Sequence, residues 1–263
     1  MFVCALTLHR LSYCPIAFLL LVAPCAARAQ DNYEIQVYGA ELVPRGRTMV
    51  ELHSNFTVSG TTLSQDGLLP TQHAMHETLE ITHGFTDWFE VGFYAFTSRQ
   101  STMGFQWVGD HIRPRIAAPE SWHLPIGLSL SQEIGYQRRE FSVDTWTWEI
   151  RPIIDQQLGR FYWSVNPALE RALVGQNVPS GFEFAPNAQI LFDVTKKLST
   201  AVEYYGSYGP VTHFDPFVQT QQQFFFALNL DFGPEWEFNV GLGDGTTRNT
   251  DHAIVKMILG RRF

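Results

Sequence analysis

Between residues 48 and 263 the chain alternates. Apolar side chains fall on every second position in stretch after stretch, with polar and charged ones between them. The last stretch is the plainest. Counting back in twos from Phe263 gives Arg261, Leu259, Met257, Val255 and Ala253, while the other phase gives Arg262, Gly260, Ile258, Lys256, Ile254 and His252. A strand places successive side chains on opposite faces, so a period of two sustained over such a length commits the chain to β-structure. After residue 29 no segment approaches about 18 consecutive apolar residues, and any membrane span must therefore be made of strands.

Residues 1–29 read as a cleaved secretory signal. Arg10 precedes an apolar run over residues 16–23, and Ala27-Arg28-Ala29 forms a small-x-small cleavage site before Gln30. Cys4, Cys14 and Cys25 all lie in this leader, so the exported chain can form neither a disulfide nor a thiolate metal site. Of the 18 basic residues the leader removes Arg10 and Arg28, whereas all 26 acidic residues stay, which moves the net charge from −8 to −10. Nucleic acid is excluded as a partner on that balance.

The alternation resolves into twelve strands, at 48–58, 72–83, 88–98, 104–117, 124–137, 143–155, 161–173, 182–194, 198–208, 220–232, 236–242 and 251–263. The register is irregular around Gly109-Asp110, where a bulge would re-aim the side chains. Residues 30–46 form an N-terminal periplasmic segment closed by Pro44, with a position tucked toward the pore as the alternative, and residues 47–263 form the β domain. Short connections at 84–87, 157–160, 195–197 and 233–235 contrast with longer, more polar ones at 59–71, 174–181, 209–219 and 243–250. Aromatic residues gather at both strand ends: Phe85, Trp88, Trp122, Trp163, Trp236 and Phe263 near the short turns, and Phe96, Phe105, Tyr136, Trp146, Phe182 and Phe224 toward the loops. A soluble sandwich has no reason to band aromatics at both ends of every strand, whereas two lipid interfaces do. The fold expected is all-β: a transmembrane, antiparallel, up-and-down barrel of about 12 strands in the bacterial outer membrane, in contact with outer-membrane lipid and lipopolysaccharide.

The polar phase then faces a narrow lumen. It carries Glu51, His53, His76, Glu80, Glu90, Arg113, Arg115, Glu133, Glu149, Arg151, Glu203 and Lys256 as pore-lining candidates. Acids exceed bases, which favours a channel for passive uptake of small polar or cationic solutes, with the arginines forming a constriction. The alternative is a plugged, structural barrel whose charges pair with one another. A lipid hydrolase would need serine and histidine together on the outer wall, but Ser54 lies in the outward phase and His53 in the inward one. The histidines lack metal-ligand spacing on any single strand. No catalytic residue, metal or cofactor is expected.

The strand ending in an aromatic residue at Phe263 resembles the closing strand of outer-membrane barrels, which implies recognition by the barrel-insertion machinery; Arg261 departs from that pattern. The E-I-Q-V-Y-G-A-E within residues 33–43, with L-E-I-T-H-G-F-T-D-W-F-E-V-G-F-Y from Leu79 to Tyr94, resembles a broad family of poorly characterised outer-membrane proteins. Some members of that family are associated with a phenol-degradation (MetA) pathway. The resemblance implies a small barrel and an uptake channel, with aromatic solutes among the candidates.

Overall fold

In a computed structural model that describes residues 32–100 and 103–263, the chain is a closed antiparallel barrel. Its strands are β1 (Thr48–Ser59), β2 (Met75–Thr86), β3 (Phe89–Gln100), β4 (Met103–Ala117), β5 (Gly127–Gln137), β6 (Asp144–Leu158), β7 (Phe161–Gly175), β8 (Phe182–Asp193), β9 (Leu198–Ser207), β10 (Gln221–Leu230), β11 (Trp236–Gly245) and β12 (His252–Arg262). Each strand pairs with its sequence neighbours, and β1 closes the ring against β12 in a register running from Met49↔Arg262 to Ser59↔His252. The expected leader, residues 1–29, lies outside the described residues.

Closure leaves no edge, so wall N–H and C=O groups find partners on neighbouring strands without water. The outward phase is apolar, with Leu52, Leu79, Ile81, Phe93, Ile112, Ile134, Ile190, Val202, Phe226, Leu242 and Leu259 all exposed. Among the described residues no helix is long and apolar enough to cross a membrane. A sealed wall with an apolar exterior crosses with its strands, and this is the architecture of an outer-membrane barrel.

The seam at β1 and β12 accounts for Arg261. Its guanidinium lies 5.0 Å from the ring centres of both Trp236 and Phe263, an aromatic pair that holds the cation at the rim. Phe263 exchanges backbone hydrogen bonds with Thr48, and Arg47 Nε donates to the Phe263 carbonyl at 2.6 Å.

The irregularity expected near Gly109 is a bulge. Phe96 pairs with Gly109 and Thr97 with Trp107, leaving Val108 as the extra residue. Val108 is fully buried in the lumen beside Tyr33, Tyr94 and Phe96. Phe96 thus corrects the expected aromatic banding, because it shares the inward phase of Tyr94 and is buried rather than set at the lipid interface. Gly109 is required by its neighbour, since a Cβ there would overlap the carbonyl oxygen of Tyr136 on β5.

Gly109→Ala is expected to weaken the β4–β5 pairing by about 1–3 kcal/mol, the usual cost of forcing a methyl into packed structure. The temperature at which the folded band is lost on an unboiled denaturing gel would fall relative to wild type. An unchanged temperature would show that the strands separate there without cost.

Candidate lumen site

Residues 32–44, expected on the periplasmic side or tucked toward the pore, run through the barrel. Asn32 donates to Asp251 (2.7 Å) at the end that carries the longer loops, and Gly46 donates to the Gly84 carbonyl (2.7 Å) at the end that carries the short turns. The alternation of this stretch suits its surroundings. Ile35 and Val37 pack with Tyr205, Phe225 and Ile254, while Tyr38 and Ala40 pack with Ile153 on the opposite wall.

The segment joins no ladder, yet a buried backbone must be hydrogen-bonded. Wall side chains do this one group at a time. The Tyr33 carbonyl accepts from Thr78 (2.7 Å), that of Ile35 from Lys256 Nζ (3.0 Å) and that of Val37 from Gln189 (3.1 Å). Tyr38 is held at both ends of its peptide: its N–H donates to Asn166 Oδ1 (2.8 Å), and its carbonyl accepts from Ser164 (2.6 Å) and Asn166 Nδ2 (3.0 Å). Nearer the turns, Ala40 N donates to Asp155 (2.7 Å), Val43 N donates to Glu90 (2.6 Å), and Arg115 donates to the Glu41 carbonyl.

The Tyr38 ring sits at the centre of the arginines. The guanidinium carbons of Arg113, Arg151 and Arg115 lie 4.4, 5.1 and 5.9 Å from its centroid, and its hydroxyl is 3.2 Å from that of Tyr94. Arg115, Ser131 and Arg151 share one level across β4, β5 and β6, so register concentrates the cations there. The expected arginine constriction is therefore a face covered by the segment.

The remaining sequence candidates fall into pairs and ladders. Arg113 bonds Glu80 (2.7 Å), Arg115 reaches Glu90 (3.1 Å), Arg151 bonds Glu149 (2.7 Å) and Lys256 bonds Glu203 (2.5 Å). Glu133 pairs with His111, and His76 packs edge-on against Tyr33 with ring centres 4.6 Å apart. Glu51 and His53 lie with Glu80 as a buried trio on β1 and β2. Glu133, Glu149, Glu170 and Glu183 stand directly opposite one another in succession across β5, β6, β7 and β8. On the outer wall Ser54 bonds Glu77 (2.6 Å) while His53 is buried inside, so these two side chains do not meet.

Two cavities flank the segment. The one at the loop end, of about 250 Å³, is lined by Glu34, Glu133, Asp144, Glu149, Glu170 and Glu183 together with Arg151, Tyr33, Phe141 and Trp148. The one at the turn end, of about 690 Å³, has mixed charge, with Arg160, Lys196, Lys197 and Arg262 against Asp193, Asp231, Glu235 and Glu237. Sequence reasoning centred on charge passed over Ser164, Asn166, Gln189, Thr78 and Asp155. Their signal was a run of hydroxyls and amides in the inward phase, the groups that bond a backbone.

No family model matches the sequence, and no curated protein does. Among solved structures the fold is similar to an outer-membrane channel from Pseudomonas putida F1, with TM-score 0.59 and 13% identity over 88% of this chain and 100% of that one. It is also similar to the NanC porin (0.54, 8%, 80% and 97%) and to the KdgM porin (0.52, 8%, 82% and 98%). At these identities the likeness is one of fold, and it agrees with the outer-membrane barrel architecture derived above.

One outcome follows for the segment. Replacing Ser164 and Asn166 together by alanine removes three bonds to Tyr38, each contributing about 0.5–1.5 kcal/mol. Hydrogen exchange over residues 33–43 should accelerate by about one to three orders of magnitude on that basis while the strands stay protected; unchanged exchange would place the hold elsewhere.

Proposed function

We propose that the chain is an outer-membrane channel for small cationic or polar solutes, with residues 32–44 as its gate. The observation that carries this reading is the loop-end cavity, where six carboxyl side chains face one guanidinium, Arg151. Four of those acids form the continuous ladder Glu133–Glu149–Glu170–Glu183. A rim of one sign concentrates ions of the other and orders selectivity at the entrance.

The seat of the segment suits a gate. Bonds from separate side chains can be given up singly, unlike a strand ladder that opens as a unit, and the turn-end cavity gives a solute somewhere to go once the segment moves. Tyr33, Phe141 and Trp148 beside the acids would favour solutes carrying an aromatic ring, in keeping with the resemblance to a family associated with phenol degradation. The role is transport without catalysis. Lipid and lipopolysaccharide would contact the apolar exterior, and the insertion machinery would read β12 with Phe263.

Single-channel recording of the refolded protein in a planar bilayer under a salt gradient tests this. The wild type should give brief, cation-selective openings, and Ser164→Ala/Asn166→Ala longer ones. Combined Glu149→Gln, Glu170→Gln and Glu183→Gln should move the reversal potential toward zero. A reversal potential that ignores these charges sinks the acidic entrance, and silence from both wild type and the loosened variant makes the segment a permanent plug.

A further inference from the structure

One buried cluster holds more acid than its ion pairs account for. Glu51 on β1 stands directly opposite Glu80 on β2, an arrangement of like charges that destabilises a strand pair. Glu237 on β11 lies beside Glu51 across Gly260, where a Cβ would come within 2.9 Å of Glu51 Cγ and 3.2 Å of Glu237 Cβ. Three carboxylates therefore converge in a region where Glu51 is 6% and Glu80 1% exposed. Buried charges persist only with compensation. Arg113 supplies part of it through Glu80 Oε1, but Glu80 Oε2 has no hydrogen-bond partner.

His53 completes the cluster. It is the next inward residue after Glu51 and is fully buried, and neither of its ring nitrogens makes a hydrogen bond. Its Nε2 lies 3.4 Å from Glu80 Oε2. One ligand atom each from Glu51, His53 and Glu80 falls within 4.8 Å of the others. Small rotations of the two glutamates would bring these atoms to the separation set by bonds of about 2.0–2.2 Å to a common ion.

We propose that Glu51, His53 and Glu80 bind a divalent metal ion of the zinc class. Imidazole with two carboxylates is a ligand set such an ion accepts, and its two charges match those of the two glutamates. The turn-end cavity lies next to the site, since its lining includes Met49 and Glu237, both beside Glu51, and it offers the route by which an ion would enter. The site abuts the gate, because Gln36 Nε2 of the segment reaches Glu237 Oε1 at 3.5 Å. It stands independently of what the channel transports.

The test is titration of Zn²⁺ into the refolded, chelator-treated full chain by calorimetry, with zinc content measured after dialysis. About one equivalent should bind. Glu51→Gln, which preserves shape, and His53→Ala should each weaken binding at least roughly tenfold. His76→Ala, which alters another buried histidine of the lumen, should leave it unchanged. Heat-dependent gel mobility reports folding of each variant, and Glu51→Gln carries the test should His53→Ala fail to fold. No stoichiometric zinc, or an affinity in Glu51→Gln equal to wild type, overturns the proposal.

Discussion

Everything in this molecule depends on finding partners for backbone polar groups in places without bulk water. In the wall the solution is closure: twelve strands in a ring leave no edge, and the ladder is complete where β1 meets β12. Inside the lumen a second stretch of backbone faces the same requirement with no strand beside it. Its partners are the side chains of Asn166, Ser164, Gln189, Thr78 and Lys256. The two solutions differ in cooperativity. A ladder bond is supported by its neighbours, whereas each bond to the segment stands on one side chain and contributes about 1 kcal/mol. The wall's bonds support one another, whereas those of the segment stand singly.

The lumen charges follow from that division. The arginines of β4 and β6 lie against Tyr38 and against glutamates, so they are consumed in holding the centre closed. Carboxylates outnumber them, toward the loop end in the Glu133–Glu183 ladder and toward the turn end at Glu51, Glu80 and Glu237, several of them in pairs of their own. Buried ion pairs add little net stability, because desolvation offsets attraction. Lys256 illustrates what they do instead: it binds Glu203 and the Ile35 carbonyl at once, and so fixes where the segment lies.

The wall was legible in the sequence because its physics is local. A strand with lipid on one side and a polar lumen on the other must alternate, and each strand declares its phase from its own residues. Even the bulge at Val108 was announced by the broken pattern at Gly109-Asp110. Phe96 was misread because an aromatic near a strand end looks the same whether it meets an interface or a plug, although its phase with Tyr94 decided the matter. The site was legible only in part. Which side chains face inward follows from phase, but which of them meet depends on the stagger between strands, and no single strand encodes that. The pairing of Glu51 with Glu80, and the row from Glu133 to Glu183, appear only once twelve registers are fixed together. Residues 32–44 stood apart from the twelve strands because Pro44 closes their alternation, but nothing local says that their partners are side chains from opposite walls.

That last point bears on what kind of closure this is. A segment that reads as a strand but pairs with none has kept the alternation a strand uses and lost the ladder that would lock it. Ile35 and Val37 are buried against one wall and Tyr38 against another, so apolar contact positions the segment without binding it to either. The cations stack on Tyr38 from the β4 and β6 side, and Arg151 joins that stack to the loop-end ladder through Glu149. The cavity that the ladder lines also touches the segment, at Asn32, Tyr33 and Glu34. A change of charge in the ladder would therefore act on the backbone that runs through the lumen as well as on the cavity itself, because both meet at the same carboxyl groups.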